Sequence, residues 1–229
     1  MAGAIHWIAC RDDVAGFCNV THKIVVMGVS GSGKSTLARE LAVALEGVFI
    51  EGDEHHSAES RDKMCRGIAL CDSDREPWLD RLAELVDDTH GTAVLSCSAL
   101  RRCYRERMRA RVAGLRFVFL DITLAAAVAR VSRRLDHEFP ATLVVDQFAT
   151  LESPVGEEGV LHLSASLHSA CGLREVMQWL GAPDGAGWKS DELALKRSYL
   201  LQQQSQCLLS ESLHWLPHPH HWHTPSKNI

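Results

Sequence analysis

Gly28, Val29, Ser30, Gly31, Ser32, Gly33, Lys34, Ser35 and Thr36 follow one another in the spacing G-x-x-x-x-G-K-S/T. That spacing builds a cradle for the phosphates of a nucleoside triphosphate. Glycines 28, 31 and 33 let the backbone come close to a ligand and adopt positive φ. Successive backbone N–H groups and the N-terminal end of the following helix then hold anionic oxygen without a large side chain. Lys34 has the reach and charge to meet the β- and γ-phosphates. The Ser35 hydroxyl is a hard oxygen ligand suited to Mg²⁺. The ordinary alternative, a Gly-rich turn with no ligand, would not require Lys34 and Ser35 at these offsets.

Further polar clusters follow in order. Glu51, Gly52, Asp53, Glu54, His55 and His56 come first, then Arg61, Lys63 and Met64. Asp72, Asp74, Arg75, Pro77, Trp78 and Leu79 form a third group. Cys97, Ser98, Ala99, Leu100, Arg101, Tyr104 and Arg105 form a fourth, and Gln147, Phe148, Thr150, Leu151 and Glu152 a fifth. No N-K-x-D signature is present to read guanine, which argues against a GTPase. Val118 to Asp121 imitates an apolar strand ending in a metal-binding Asp, but a helix cap ahead of Thr123 is the preferred reading for Asp121.

The elements that must position these groups alternate. Lys23–Met27, Val48–Ile50, Thr92–Cys97, Arg116–Leu120 and Val160–Leu163 are short apolar runs that read as strands. Between and after them lie helical patterns at 35–45, 57–66, 77–89, 101–110, 123–134, 140–150 and 173–180, with Pro77 in a first turn. Apolar strands separated by helices predict an α/β fold: a parallel sheet of about five strands, covered on both faces in a three-layer sandwich. Ligands bind at the carboxyl ends of such strands.

The chain has 229 residues, with 46% hydrophobic residues and a net charge of −5, room for one α/β domain plus extensions. The acidic balance argues against a nucleic-acid or membrane partner. Eight cysteines at 10, 18, 65, 71, 97, 103, 171 and 207 form no C-x-x-C pair. With a nucleotide-binding loop, this points to reduced thiols and a cytoplasmic location. The first stretch carries Asp12 and Asp13 and no long apolar run, unlike a secretory signal. Residues 1–22 read as an irregular extension and 23–181 as the domain. Residues 182–229 read as a linker and a disordered tail in which five of the 13 histidines and Pro217 and Pro219 lie.

Taken in sequence order, the clusters resemble the gluconokinase family. That family carries the same Gly-rich loop, a D-x-x-H element, N-x-x-K-M, D-x-D-R-x-P-W-L, C-S-A-L-K-x-x-Y-R-D, G-H-F and Q-F-x-T-L-E-x-P. The resemblance covers residues 24 to 180. It implies a P-loop kinase fold with a mobile lid, and ATP with Mg²⁺ as phosphoryl donor and cofactor. It also implies transfer of the γ-phosphoryl group to the 6-hydroxyl of D-gluconate, and a homodimer.

Residue by residue, the resemblance implies that Gly28 to Thr36 bind ATP with Arg130 and Arg134, and that Lys34, Asp53 and Arg134 carry catalysis. Asp53, His56, Arg75, Arg105 and Gln147 would bind gluconate. Guanidinium suits the carboxylate of an anionic polyol, and carboxylate or imidazole suits its hydroxyls. Asp53 would accept the proton of the attacking hydroxyl, or position Mg²⁺-bound water; His56 would bond a hydroxyl, or simply face solvent. Arg130 and Arg134 sit one helical turn apart, where one face can present both.

The chain also departs from the pattern. Asp136, His137, Glu138 and Phe139 stand where G-H-F is usual, placing two acids near the phosphates. Ser60 replaces Asn, and Arg101 replaces Lys. The rival readings are a kinase for another small hydroxylated acid, such as shikimate, and a nucleotide-binding regulatory module.

Overall fold

The computed structural model describes residues 21–133, 141–167 and 169–181. Residues 1–20, the tail from 182 to 229, and the segment 134–140, with Arg134, Asp136 and Glu138, lie outside the described residues. In chain order the elements are β1 (Lys23–Met27), α1 (Lys34–Ala44), β2 (Val48–Glu51), a 3-10 turn (Gly52–His55), α2 (Ala58–Cys65) and α3 (Asp72–Asp88). They continue with β3 (Ala93–Ser96), α4 (Arg102–Arg111), β4 (Arg116–Asp121), α5 (Leu124–Ser132), α6 (Ala141–Thr150), β5 (Val160–Ser164) and α7 (Ser169–Trp179).

The strands form one five-stranded sheet in the order β2-β3-β1-β4-β5, and every pairing is parallel. The expected three-layer α/β architecture is therefore present. β1 explains the layering: Ile24, Val25, Val26 and Met27 are all fully buried. Because side chains alternate across a strand, Val25 and Met27 pack on one face with Trp78, Leu82, Tyr104, Met108 and Phe117. Ile24 and Val26 pack on the other with Leu37, Leu41, Val118 and Val176. Each large apolar side chain so buried contributes about 1.5–3 kcal/mol. A third, smaller cluster joins Val29 to Leu100, Ala127, Val131 and Val144, fastening the loop after β1 to α5 and α6.

β1 lies between β3 and β4, so the chain leaves β1 toward one edge of the sheet and later crosses to the other. This reversal opens a crevice at the carboxyl ends of the central strands. The segments that emerge there are 28–33, 51–56, 97–101 and the turn after Ser164.

Two local expectations are corrected. Helix α3 begins at Asp72, before Pro77, because a capping box starts it: the Asp74 carboxylate accepts from the Cys71 N–H at 2.9 Å. Pro77 therefore lies inside the helix, where its missing N–H removes the bond to the Ser73 carbonyl. Asp121 is not a helix cap. It ends β4, its carboxylate lies 3.1 Å from Nε2 of His162, and Thr123 caps α5 by accepting from the Ala126 N–H at 3.3 Å.

Candidate active site

The loop between β1 and α1 is shaped by glycine for two separate reasons. Gly28 and Gly31 have φ of 141° and 84°. A Cβ on Gly28 would lie 2.7 Å from the Leu120 carbonyl oxygen, and one on Gly31 would lie 2.8 Å from that of Ala127. Neither neighbour is a flexible side chain that could move aside. Gly33 leads into α1 at φ 98° with no side-chain cap, which leaves the first amides of α1 facing the loop.

Lys34 Nζ donates to the Val29 carbonyl at 3.1 Å, an arrangement that lays its side chain back over the loop. The Ser35 hydroxyl lies 3.3 Å from the Ser96 hydroxyl at the end of β3. Ser32 Oγ is buried without a hydrogen-bond partner among the described residues. A buried hydroxyl left unpaired is costly, and a phosphate oxygen would satisfy it. The ring of amides, the Lys34 ammonium and this hydroxyl therefore fit a polyphosphate. The Ser35 hydroxyl is a hard donor that fits Mg²⁺.

Arg130, on α5, donates to the carbonyls of Gly31 and Ser32 at 3.3 and 3.5 Å and to that of Ala165 at 2.9 Å. It lines a cleft of about 230 Å³ together with Gly33, Thr36, Leu37, Leu163, Ser164 and Leu167, among others. A lining that mixes leucines with hydroxyl side chains suits a nucleoside. Sequence reasoning named Thr36 and Arg130 but missed the turn at 164–167. That turn has no motif; the rule that ligands sit beyond strand carboxyl ends was its one available signal.

The second half of the site rises from β2. Gly52 is required by a close approach, since a Cβ there would lie 2.4 Å from the Ser96 carbonyl oxygen. The Trp78 indole N–H donates to the Gly52 carbonyl at 2.8 Å, and its ring stacks on His56 with centroids 4.1 Å apart. His56 is thus buried rather than facing solvent, and Nδ1 has no partner among the described residues. Burial pushes its pKa down to about 4; Asp53 opposes this, and Arg75 and Arg61 add to it. At neutral pH the imidazole is uncharged and acts as a hydrogen-bonding group. Its Nε2 lies 4.0 Å from Asp53 Oδ1, and the Asp53 side chain is 77% exposed.

Asp53 and Lys34 belong to one electrostatic neighbourhood. Burial pushes the intervening Cys97 thiol up to about 12, against a hydrogen bond from the Ala99 amide; Asp53 adds to the rise and Lys34 opposes it. That thiol is inert. Arg75 donates to the Tyr104 hydroxyl at 3.3 Å, while Tyr104 in turn donates to Asp72. Arg101 also holds Asp72, at 2.6 Å. Arg75 is half-buried and lies close enough to influence His56.

Arg105 requires correction. It is fully buried, and its guanidinium is committed within the protein. It donates to the carbonyls of Ala99 and Leu100 at 3.0 Å each, to that of Glu152 at 3.2 Å, and to both oxygens of Glu157. These bonds use all five N–H donors of the group. Arg105 therefore ties the segment at 152–157 to the 97–100 turn, where Ala99 is held at φ 43°, and has no donor left for a substrate carboxylate. Gln147 meets the phosphate loop directly: its Oε1 accepts from the Ser30 N–H at 2.6 Å.

The chain matches an AAA domain family over residues 24–154. It is 43% identical over 165 residues to the gluconokinase of Gluconobacter oxydans (strain 621H), which covers 70% of this chain and 92% of that protein. It is 39% identical to the gluconokinase of Arabidopsis thaliana, over 59% of this chain and 80% of that one. Its fold superposes on a gluconokinase from Sinorhizobium meliloti 1021 with a TM-score of 0.63 and 38% identity, covering 70% of this chain and 96% of the other.

Proposed function

Because the chain belongs to the gluconokinase family, we propose that it transfers the γ-phosphoryl group of ATP to the 6-hydroxyl of D-gluconate, giving 6-phospho-D-gluconate and ADP. The single observation that carries the reading is the meeting of two groups at the carboxyl ends of the strands. The phosphate loop with Lys34 and Ser35 stands beside the turn that presents Asp53 and His56, with Arg75 next to it.

In this reading Asp53 receives the hydroxyl proton as the hydroxyl oxygen bonds to the γ-phosphorus. The bond from that phosphorus to the β-γ bridging oxygen breaks, and ADP leaves with the electron pair. Lys34 and the loop amides stabilise the charge that spreads over the transferred group. Mg²⁺ bound at the Ser35 hydroxyl would neutralise charge between the β- and γ-phosphates. Neutral His56 orients a hydroxyl of the polyol. Arg75, half-buried beside the neutral imidazole, supplies the positive charge that the gluconate carboxylate needs.

Residues 23–181 form the catalytic unit in this proposal, with Arg134 contributing a second guanidinium from the lid. The homodimer and cytoplasmic location implied earlier belong to the same reading. Among the described residues no helix is long and apolar enough to cross a membrane.

ADP release measured with a panel of sugar acids and shikimate tests the proposal. Gluconate should support turnover well above every other acceptor. Preference for a different acid would reassign the substrate, and ADP release independent of any acceptor would leave only an ATPase.

A further inference from the structure

We infer that Gln147 is a positioning residue of the phosphate loop and acts on ATP binding, not on the sugar acid. The inference rests on the reading of Gly28–Thr36 as the ATP site. Gln147 lies 117 residues from Ser30, yet its side-chain oxygen accepts from the Ser30 N–H at 2.6 Å. A backbone N–H needs an acceptor, so this bond fixes which end of the carboxamide faces the loop. The oxygen is used on Ser30, and the amide nitrogen is held beside the loop with two donors.

Helix α6 explains the placement. Val144 is fully buried in the cluster with Val29 and Ala127, and Phe148 packs partly against it. Gln147 lies three residues after Val144 and one before Phe148, on the same side of the helix. The packing that buries Val144 therefore delivers Gln147 to the loop.

Helix α5 holds the next residues of the loop. Arg130 donates to the Gly31 and Ser32 carbonyls, and the Ala127 backbone closes against Gly31. Ser30 is thus held through its N–H from α6, and Gly31 and Ser32 through their carbonyls from α5. With these groups held by α5 and α6, the remaining amides of the loop are left free to meet phosphate before any nucleotide arrives, which lowers the ordering cost of binding.

The test compares Gln147→Ala and Gln147→Glu. Binding of a non-hydrolysable ATP analogue with Mg²⁺, and of adenosine, is measured by calorimetry with no acceptor present; the gluconate KM is measured separately. Gln147→Ala should weaken the analogue about 2- to 12-fold, the range for one hydrogen bond, and leave adenosine binding and the gluconate KM within about twofold. Gln147→Glu keeps an oxygen for the Ser30 N–H, and so keeps the fold, but places negative charge beside the phosphates. It should weaken the analogue more than Gln147→Ala does. The inference is overturned if the gluconate KM rises while analogue binding is unchanged, or if Gln147→Glu binds the analogue like the unmodified protein. Because binding is read without gluconate, a protein that binds ATP but does not phosphorylate gluconate would count against the proposed reaction alone.

Discussion

Lys34→Ala is expected to lower kcat by about 10²–10³, the cost of losing one preorganised charge-stabilising donor. The effect falls on turnover because the ammonium matters most when charge spreads over the phosphoryl group in transit. The fold should persist. The glycines that shape the loop are unchanged, and Val29 remains anchored among Leu100, Ala127, Val131 and Val144. Turnover measured alongside thermal unfolding separates the two effects. A folded Lys34→Ala protein with near-normal kcat would remove Lys34 from the reaction.

Asp53→Asn is expected to lower kcat by about 10²–10⁴, the range for losing a positioned general base. Asparagine preserves the shape of the side chain but cannot take the proton. Stability should change little, since the Asp53 side chain is 77% exposed and the imidazole 4.0 Å away, that of His56, is neutral at pH 7. The sign of the coupling also guards the interpretation. Asp53 raises the pKa of His56, so its removal lowers that pKa further, and the imidazole stays neutral through the assay range. Any loss therefore belongs to Asp53 itself. If kcat is retained and only the metal dependence changes, Asp53 positions Mg²⁺-bound water instead.

The phosphate loop was legible because its chemistry is local. Glycine at 28 and 31, Lys34 and Ser35 act through the backbone of one turn, and that turn needs only the strand before it and the helix after it. The sheet was legible for a similar reason: runs such as Ile24–Met27 bury both faces, which only an interior parallel strand does.

Contacts that reach across distant segments were not legible. Arg105 occupies a motif position, and nothing near it in sequence announces that residues 152–157 fold across and take its donors. The bond from Ser30 to Gln147 was not legible because the two residues lie more than a hundred positions apart. Pro77 looked like a helix start because proline favours first turns, yet the Cys71–Asp74 capping box outranks it. The cleft beside Arg130 escaped notice because its lining comes from four separate stretches with no shared spacing.

The central claim is transfer to a primary hydroxyl of gluconate, and phosphorus NMR of the reaction product tests it most directly. A phosphoryl group on the 6-oxygen is attached to a CH₂, so its proton-coupled signal should be a phosphomonoester triplet, growing in step with the signals of ADP. A doublet would place the phosphoryl group on a secondary hydroxyl, and inorganic phosphate alone would mean that water is the acceptor; either result would contradict the account.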